Sequence, residues 1–102
     1  MKESDLMREI QITATKLGHR LFRNNCGYAE TKTGQWIKYG IANPGGADLI
    51  GWTRIGLFLA IEVKTKNGRL TPEQENFINS VNLFGGIAFV ARSVEDVIKH
   101  LK

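Results

Sequence analysis

Gly46-Ala47-Asp48-Leu49-Ile50-Gly51-Trp52-Thr53, then Arg54-Ile55-Gly56, then Leu57-Phe58-Leu59-Ala60-Ile61-Glu62-Val63-Lys64: an acid opens one apolar run, and an acid, a valine and a lysine close the next. The runs read as two β-strands, Ala47 to Thr53 and Leu57 to Lys64, joined by a short turn. Side chains alternate along a strand, so Leu57, Leu59, Ile61 and Val63 take one face. Phe58, Ala60, Glu62 and Lys64 take the other. Apolar residues on both faces imply cover on both sides, as in α/β proteins. Polarity enters only at the C-terminal end, where open α/β sheets usually bind ligands.

The flanking chain supplies that cover. Upstream, Leu6, Ile10, Ala14 and Leu17 recur at helical spacing over Glu3 to Leu17, with Met7 widening the stripe and Gly18 as the stop. His19 to Asn24 alternates as a first strand. From Asn25 to Gly46 the chain is rich in Gly, Asn, Thr and Lys, with Tyr28, Trp36, Ile37 and Tyr39 interspersed, and reads equally as a hairpin wing or an irregular loop. Connections this long are often functional. Downstream of a Lys66-Asn67-Gly68-Arg69 turn, Thr71 caps a helix, Pro72 takes its first position and Gln74 completes a capping box. Phe77, Ile78, Val81 and Phe84 form its expected buried stripe, and Gly85-Gly86 ends it. Ile87 to Ala91 is a short buried strand. Ser93 caps a last helix carrying Val94, Val97, Ile98 and Leu101. The predicted architecture is a single α/β domain over residues 1–102: helix, three strands, helix, strand, helix. Its central sheet is mixed, with the last strand parallel to Leu57–Lys64 through a right-handed crossover.

No apolar run approaches membrane length, and the start of the chain lacks a signal-peptide core. The single cysteine, Cys26, can form no internal disulfide, which favours a reducing, cytoplasmic setting and a small buried or half-buried thiol. His19 and His100 show no metal-ligand spacing, and His100 suits the dipole of a last helical turn. The net charge of +4 favours a polyanionic partner.

Asp48, Glu62 and Lys64 carry the chemistry. Paired carboxylates suit Mg²⁺ or Mn²⁺, leaving positions for water and a phosphate oxygen, and the Val63 carbonyl between the functional side chains is a further donor. A lysine on the same face can hold water or screen developing negative charge. The plainer alternative is that Asp48 caps a turn while Glu62 and Lys64 form an ion pair. Glycines before Asp48, which allow close backbone approach, favour the site.

Four segments together resemble the VRR-NUC domain, the virus-type replication-repair nuclease branch of the PD-(D/E)xK superfamily. They are Gly46 to Gly51, Phe58 to Thr65, Gly68 to Gln74 and Gly85 to Ser93, with Arg23-Asn24-Asn25 after the first helix. The resemblance spans nearly the whole chain in order; Ala47 stands where a proline often precedes the first acid. It implies a restriction-endonuclease-like fold, Asp48 and Glu62 as metal ligands, Lys64 as the catalytic lysine and a role for Gln74 near the site. It also implies an acid on the first helix, Glu3 by spacing, with Glu9 as the alternative on a different face.

The implied activity is Mg²⁺- or Mn²⁺-dependent cleavage of DNA. Stand-alone members look like phage or prophage proteins and resemble Holliday junction resolvases, which implies a homodimer, a branched-DNA substrate and a bacterial or phage-infected host cytoplasm. Arg20, Arg23, Asn24, Lys32, Lys38, Lys66 and Arg69 are candidate DNA contacts, and Tyr28, Trp36 and Tyr39 can stack on bases or pack an interface. The competing function is a DNA-binding module without catalysis; hydrolysis of RNA or nucleotides by the same chemistry is a third.

Overall fold

The computed structural model describes residues 1–102. Its elements are α1 (Glu3–Lys16), β1 (Arg20–Arg23), β2 (Gly27–Glu30), β3 (Trp36–Tyr39), β4 (Leu49–Trp52), β5 (Phe58–Val63), α2 (Pro72–Leu83), β6 (Ile87–Ala91) and α3 (Val94–Leu101). The two deciding strands pair antiparallel, from Leu49 opposite Ile61 to Trp52 opposite Phe58. β1 adds antiparallel outside β4, and β6 adds parallel to β5, giving the order β1-β4-β5-β6. The sheet is therefore mixed, with a helix between its parallel pair. β4 and β5 are a residue or two shorter at their ends than their apolar runs, and β6 has the expected bounds.

Alternation along β5 sorts the core as expected. Leu59, Ile61 and Val63 pack with Leu6, Met7, Ile10 and Ala14 of α1 and Val97 and Leu101 of α3. On the other face Ala60, with Ala47 and Ala88, meets Phe77, Ile78 and Val81 of α2. Three alanines in a row of neighbours let that helix lie close to the sheet.

Helix boundaries follow local chemistry. Gly18 ends α1 at φ +94°. Thr71 and Gln74 bond each other's backbone N–H across the first turn of α2 at 3.1 and 2.9 Å. Ser93 caps α3 through the Asp96 N–H. The stripe of α2 departs from expectation at Phe84, which is 84% exposed. It is the C-cap, past the last helical residue, and lines an open groove with Phe77 and Val81 that nothing covers. Asn82 turns back to donate to and accept from Ala88 at 2.9 Å each, imitating a neighbouring strand along the outer edge of β6.

The open segment between Asn25 and Gly46 is a hairpin. β2 and β3 form their own two-stranded sheet, and all four residues of β3 are exposed. Its base is closed by the Asn43 amide, which donates to the Gly27 and Tyr39 carbonyls at 2.8 and 3.1 Å.

His19 is buried rather than a ligand. Its Nδ1 accepts from the Arg54 N–H at 3.1 Å, so Nε2 carries the proton and donates to the Leu101 carbonyl at 2.9 Å. That ring ties the β4–β5 turn to the end of α3. His100 stacks on Phe89 with centroids 4.2 Å apart.

Candidate active site

Leu49 faces Ile61, so the same register sets Asp48 opposite Glu62, one residue beyond the end of β4. Opposed residues of an antiparallel pair share a face, with Cβ atoms about 4.5–5.5 Å apart. Asp48 is pinned from both sides. Its carbonyl accepts the Asn24 N–H at 2.8 Å and its Oδ2 accepts the Val63 N–H at 2.9 Å. Val63 thus links the acids through its backbone while its side chain fills the α1–α3 core.

Glu62 is 2% exposed. Its Oε1 lies 4.0 Å from Lys64 Nζ, and its Oε2 has no hydrogen-bond partner. Burial, and then the adjoining Asp48 carboxyl, push the Glu62 carboxyl up to about 9; Lys64 opposes the shift and Glu3 adds to it. Lys64 is too distant for the short contact of a strong charge-assisted bond, about 2.7–2.9 Å. A buried acid with an orphan oxygen, beside a second carboxylate, is costly as an apoprotein feature. It fits a hard divalent cation, whose preferred donors are carboxylate oxygens.

No three His, Cys, Asp or Glu side chains gather anywhere as a metal cluster. Asp48 and Glu62 therefore stand as a pair, and Glu3 adds only its charge to Glu62 without joining them. Glu9 lines a separate cavity with Thr65, Lys66 and Arg92. Of the two helix acids, Glu3 is the one whose charge acts on Glu62.

The supporting residues divide by what their side chains already hold. Gln74 spends its Oε1 on the Thr71 N–H, leaving its amide nitrogen for other contacts. Asn24 donates to the carbonyls of Ile41 and Ala47 at 2.9 and 3.0 Å and accepts the Ile41 N–H at 2.9 Å. Both of its amide hydrogens are thus spent fastening the hairpin's return to the Asp48 strand, rather than free for a phosphate. Arg23, Lys38, Lys66 and Arg69 are exposed. Arg23 lines a cleft of about 620 Å³ together with Asn25, Cys26, Tyr39 and Asp48. Lys38 stands on the hairpin, and Lys66 and Arg69 on the turn between β5 and α2.

Cys26 corrects an expectation: it is exposed, at the mouth of β2. Partial burial of its sulfur and the charges of Asp48 and Glu62 raise its thiol pKa, so it stays protonated and a poor nucleophile. Arg92 is the residue that sequence reasoning did not single out. Its Nη1 donates to the Thr65 carbonyl at 2.8 Å and the Lys66 carbonyl at 3.4 Å, bracing the turn that follows Lys64. Only the parallel pairing of β5 with β6 brings it there, and a lone arginine carries no sequence signal of that.

Gly46 is required by contact. A Cβ there would collide with the Ile41 carbonyl oxygen. Gly46→Ala is expected to displace the 41–47 loop and destabilise the protein by about 1–3 kcal/mol. A urea melt checks this; an unchanged midpoint would show that the loop has room.

A mixed sheet flanked by helices, with two acids and a lysine at the ends of adjacent strands, is the restriction-endonuclease-like arrangement. The chain belongs to the VRR-NUC family: the VRR-NUC domain model matches residues 5–95. No curated protein and no solved structure matches it significantly. Membership makes this a nuclease-type domain of DNA processing. No helix is long and apolar enough to cross a membrane.

Proposed function

We propose that the protein is a metal-dependent DNA endonuclease that hydrolyses phosphodiester bonds, acts on branched DNA such as four-way junctions or flaps, and works as a homodimer. The observation that carries the metal dependence is the partnerless Glu62 Oε2, buried beside the Asp48 carboxyl. Asp48 and Glu62 would hold Mg²⁺ or Mn²⁺. The bound ion would supply an acidified water and neutralise charge on the transferring phosphoryl group.

The chain's own residues supply the rest. Val63 N–H fixes the Asp48 carboxylate, so that donor is oriented before substrate arrives. Lys64, on the same face as Glu62 and partly solvent-exposed, presents its ammonium where it can orient water or stabilise negative charge on phosphate oxygens. Arg92 holds the turn behind it. Arg23 in the cleft, with Lys38, Lys66 and Arg69 outside it, supplies cations for the DNA backbone. The preference for branched DNA and the pairing of two copies rest on the resemblance to resolvase-like stand-alone members.

The test is cleavage of labelled four-way junction, flap and linear duplex with Mg²⁺ or Mn²⁺. Cutting of the branched substrates ahead of duplex, abolished by EDTA, is expected. DNA bound with equal affinity in EDTA and never cut would instead identify the non-catalytic binding module. The buried Glu62 beside the Asp48 carboxyl argues against that outcome, because surface cations alone suffice to bind DNA.

A further inference from the structure

The sheet face opposite α1 and α3 is covered by α2 over β5 and β6. Beyond that cover, Phe22 of β1 and Trp52 of β4 remain 53% and 50% exposed, their rings 5.4 Å apart. Trp52 is the register partner of Phe58, which is 41% exposed, so the patch runs on across β5. Phe58 then shares a groove of about 270 Å³ with Phe77, Val81 and Phe84. Phe84, 84% exposed, completes the patch just past the end of α2.

We propose that this patch, Phe22, Trp52, Phe58 and Phe84, is where a second copy of the chain docks about a two-fold axis. The inference rests on the two-copy reading above and names its surface. At about 150–250 Å² for a whole aromatic side chain, the exposed fractions amount to roughly 450 Å² of apolar area. That is the size of a monomer's largest patch, which is often functional. It is also over half of the approximately 800 Å² that each partner contributes to a stable interface.

The groove's lining carries no charged side chain, which excludes a phosphate backbone as the occupant. The fold also points to another copy. Only 19 of 102 residues are buried, and α2 has no fully buried residue although it is one of the sheet's two cover layers. An isologous contact sets the same patch on both copies and doubles the cover with no other partner. It leaves the acid pair open, because Trp52 and Asp48, like Phe58 and Glu62, are four residues apart along their strands, about 13 Å.

Sedimentation velocity at micromolar concentration tests this, with cleavage assayed in parallel. The parent should sediment as a dimer. Phe84→Glu, at an exposed position, should raise the dissociation constant on the order of 100-fold while circular dichroism and melting of the monomer stay native. Trp36→Ala with Ile37→Ala, on the hairpin, should remain dimeric. A monomeric parent, or a glutamate variant that still dimerises, overturns the assignment. A dimer of this kind that cuts no DNA keeps the assignment and sinks the nuclease reading; a monomer that cuts branched DNA does the reverse.

Discussion

Lys64→Ala is expected to slow cleavage of branched DNA by on the order of 10²–10³-fold, the usual loss when one donor aimed at developing charge is removed. The protein should fold as before. The Lys64 side chain is partly exposed, 4.0 Å from Glu62, and outside both apolar clusters, so its removal leaves the core intact. DNA affinity at fixed salt should fall only slightly, since a single phosphate-facing cation contributes one unit to the salt slope. Lys64→Arg should not restore the rate, because a planar fork cannot replace a compact ammonium. Single-turnover cleavage beside a thermal melt separates the cases. A rate equal to the parent's would remove Lys64 from the chemistry; a lost melt would assign it to the fold instead.

Glu62→Gln is expected to abolish cleavage and, without metal, to remove a pH dependence of stability that the parent shows. Burial and the Asp48 carboxyl hold the Glu62 carboxyl protonated in the folded, metal-free protein until pH approaches 9. In the unfolded chain the same group ionises near 4.5. Between those values the folded state carries the extra proton, so stability is greatest at the acidic end of the window and falls as pH rises through it. The parent's melting temperature in EDTA should therefore drop between mildly acidic and mildly alkaline pH. About 1 kcal/mol moves the midpoint of a domain this size by about 4–8 °C, so the drop is measurable.

Glutamine stays neutral throughout, so the variant should lack this component. Mn²⁺ should raise the parent's melting temperature most at the alkaline end, because a carboxylate must be deprotonated to bind a cation, and should leave Glu62→Gln nearly unmoved. A flat profile in the parent would mean that Glu62 finds a partner in solution. An equal Mn²⁺ effect on both proteins would place the ion elsewhere.

Much of this molecule is readable residue by residue. Leu59, Ile61 and Val63 alternate with Ala60 and Glu62, and both faces of β5 are covered as that alternation requires. Thr71-Pro72-Glu73-Gln74 announces a helix start, and the capping box is there. The Asn25–Gly46 segment was not decidable, because no residue of either hairpin strand is buried and β3 is exposed on both faces, which leaves little to impose alternation. Phe84 misled for another reason: helical spacing sets it on the side of Phe77 and Val81, but past the end of α2 nothing covers that side.

The sequence by itself determined the α/β class, the order of the central elements, the family, and that Glu62 and Lys64 share a face; all follow from local periodicity and motif order. Tertiary structure alone decided the rest. It sets Asp48 opposite Glu62 with an oxygen left unpartnered, turns Asn24 inward to clamp the hairpin's return, brings Arg92 behind Lys64, and leaves Phe22, Trp52 and Phe58 bare. Periodicity states which side of an element a residue occupies, whereas strand register and helix placement decide what lies across from it.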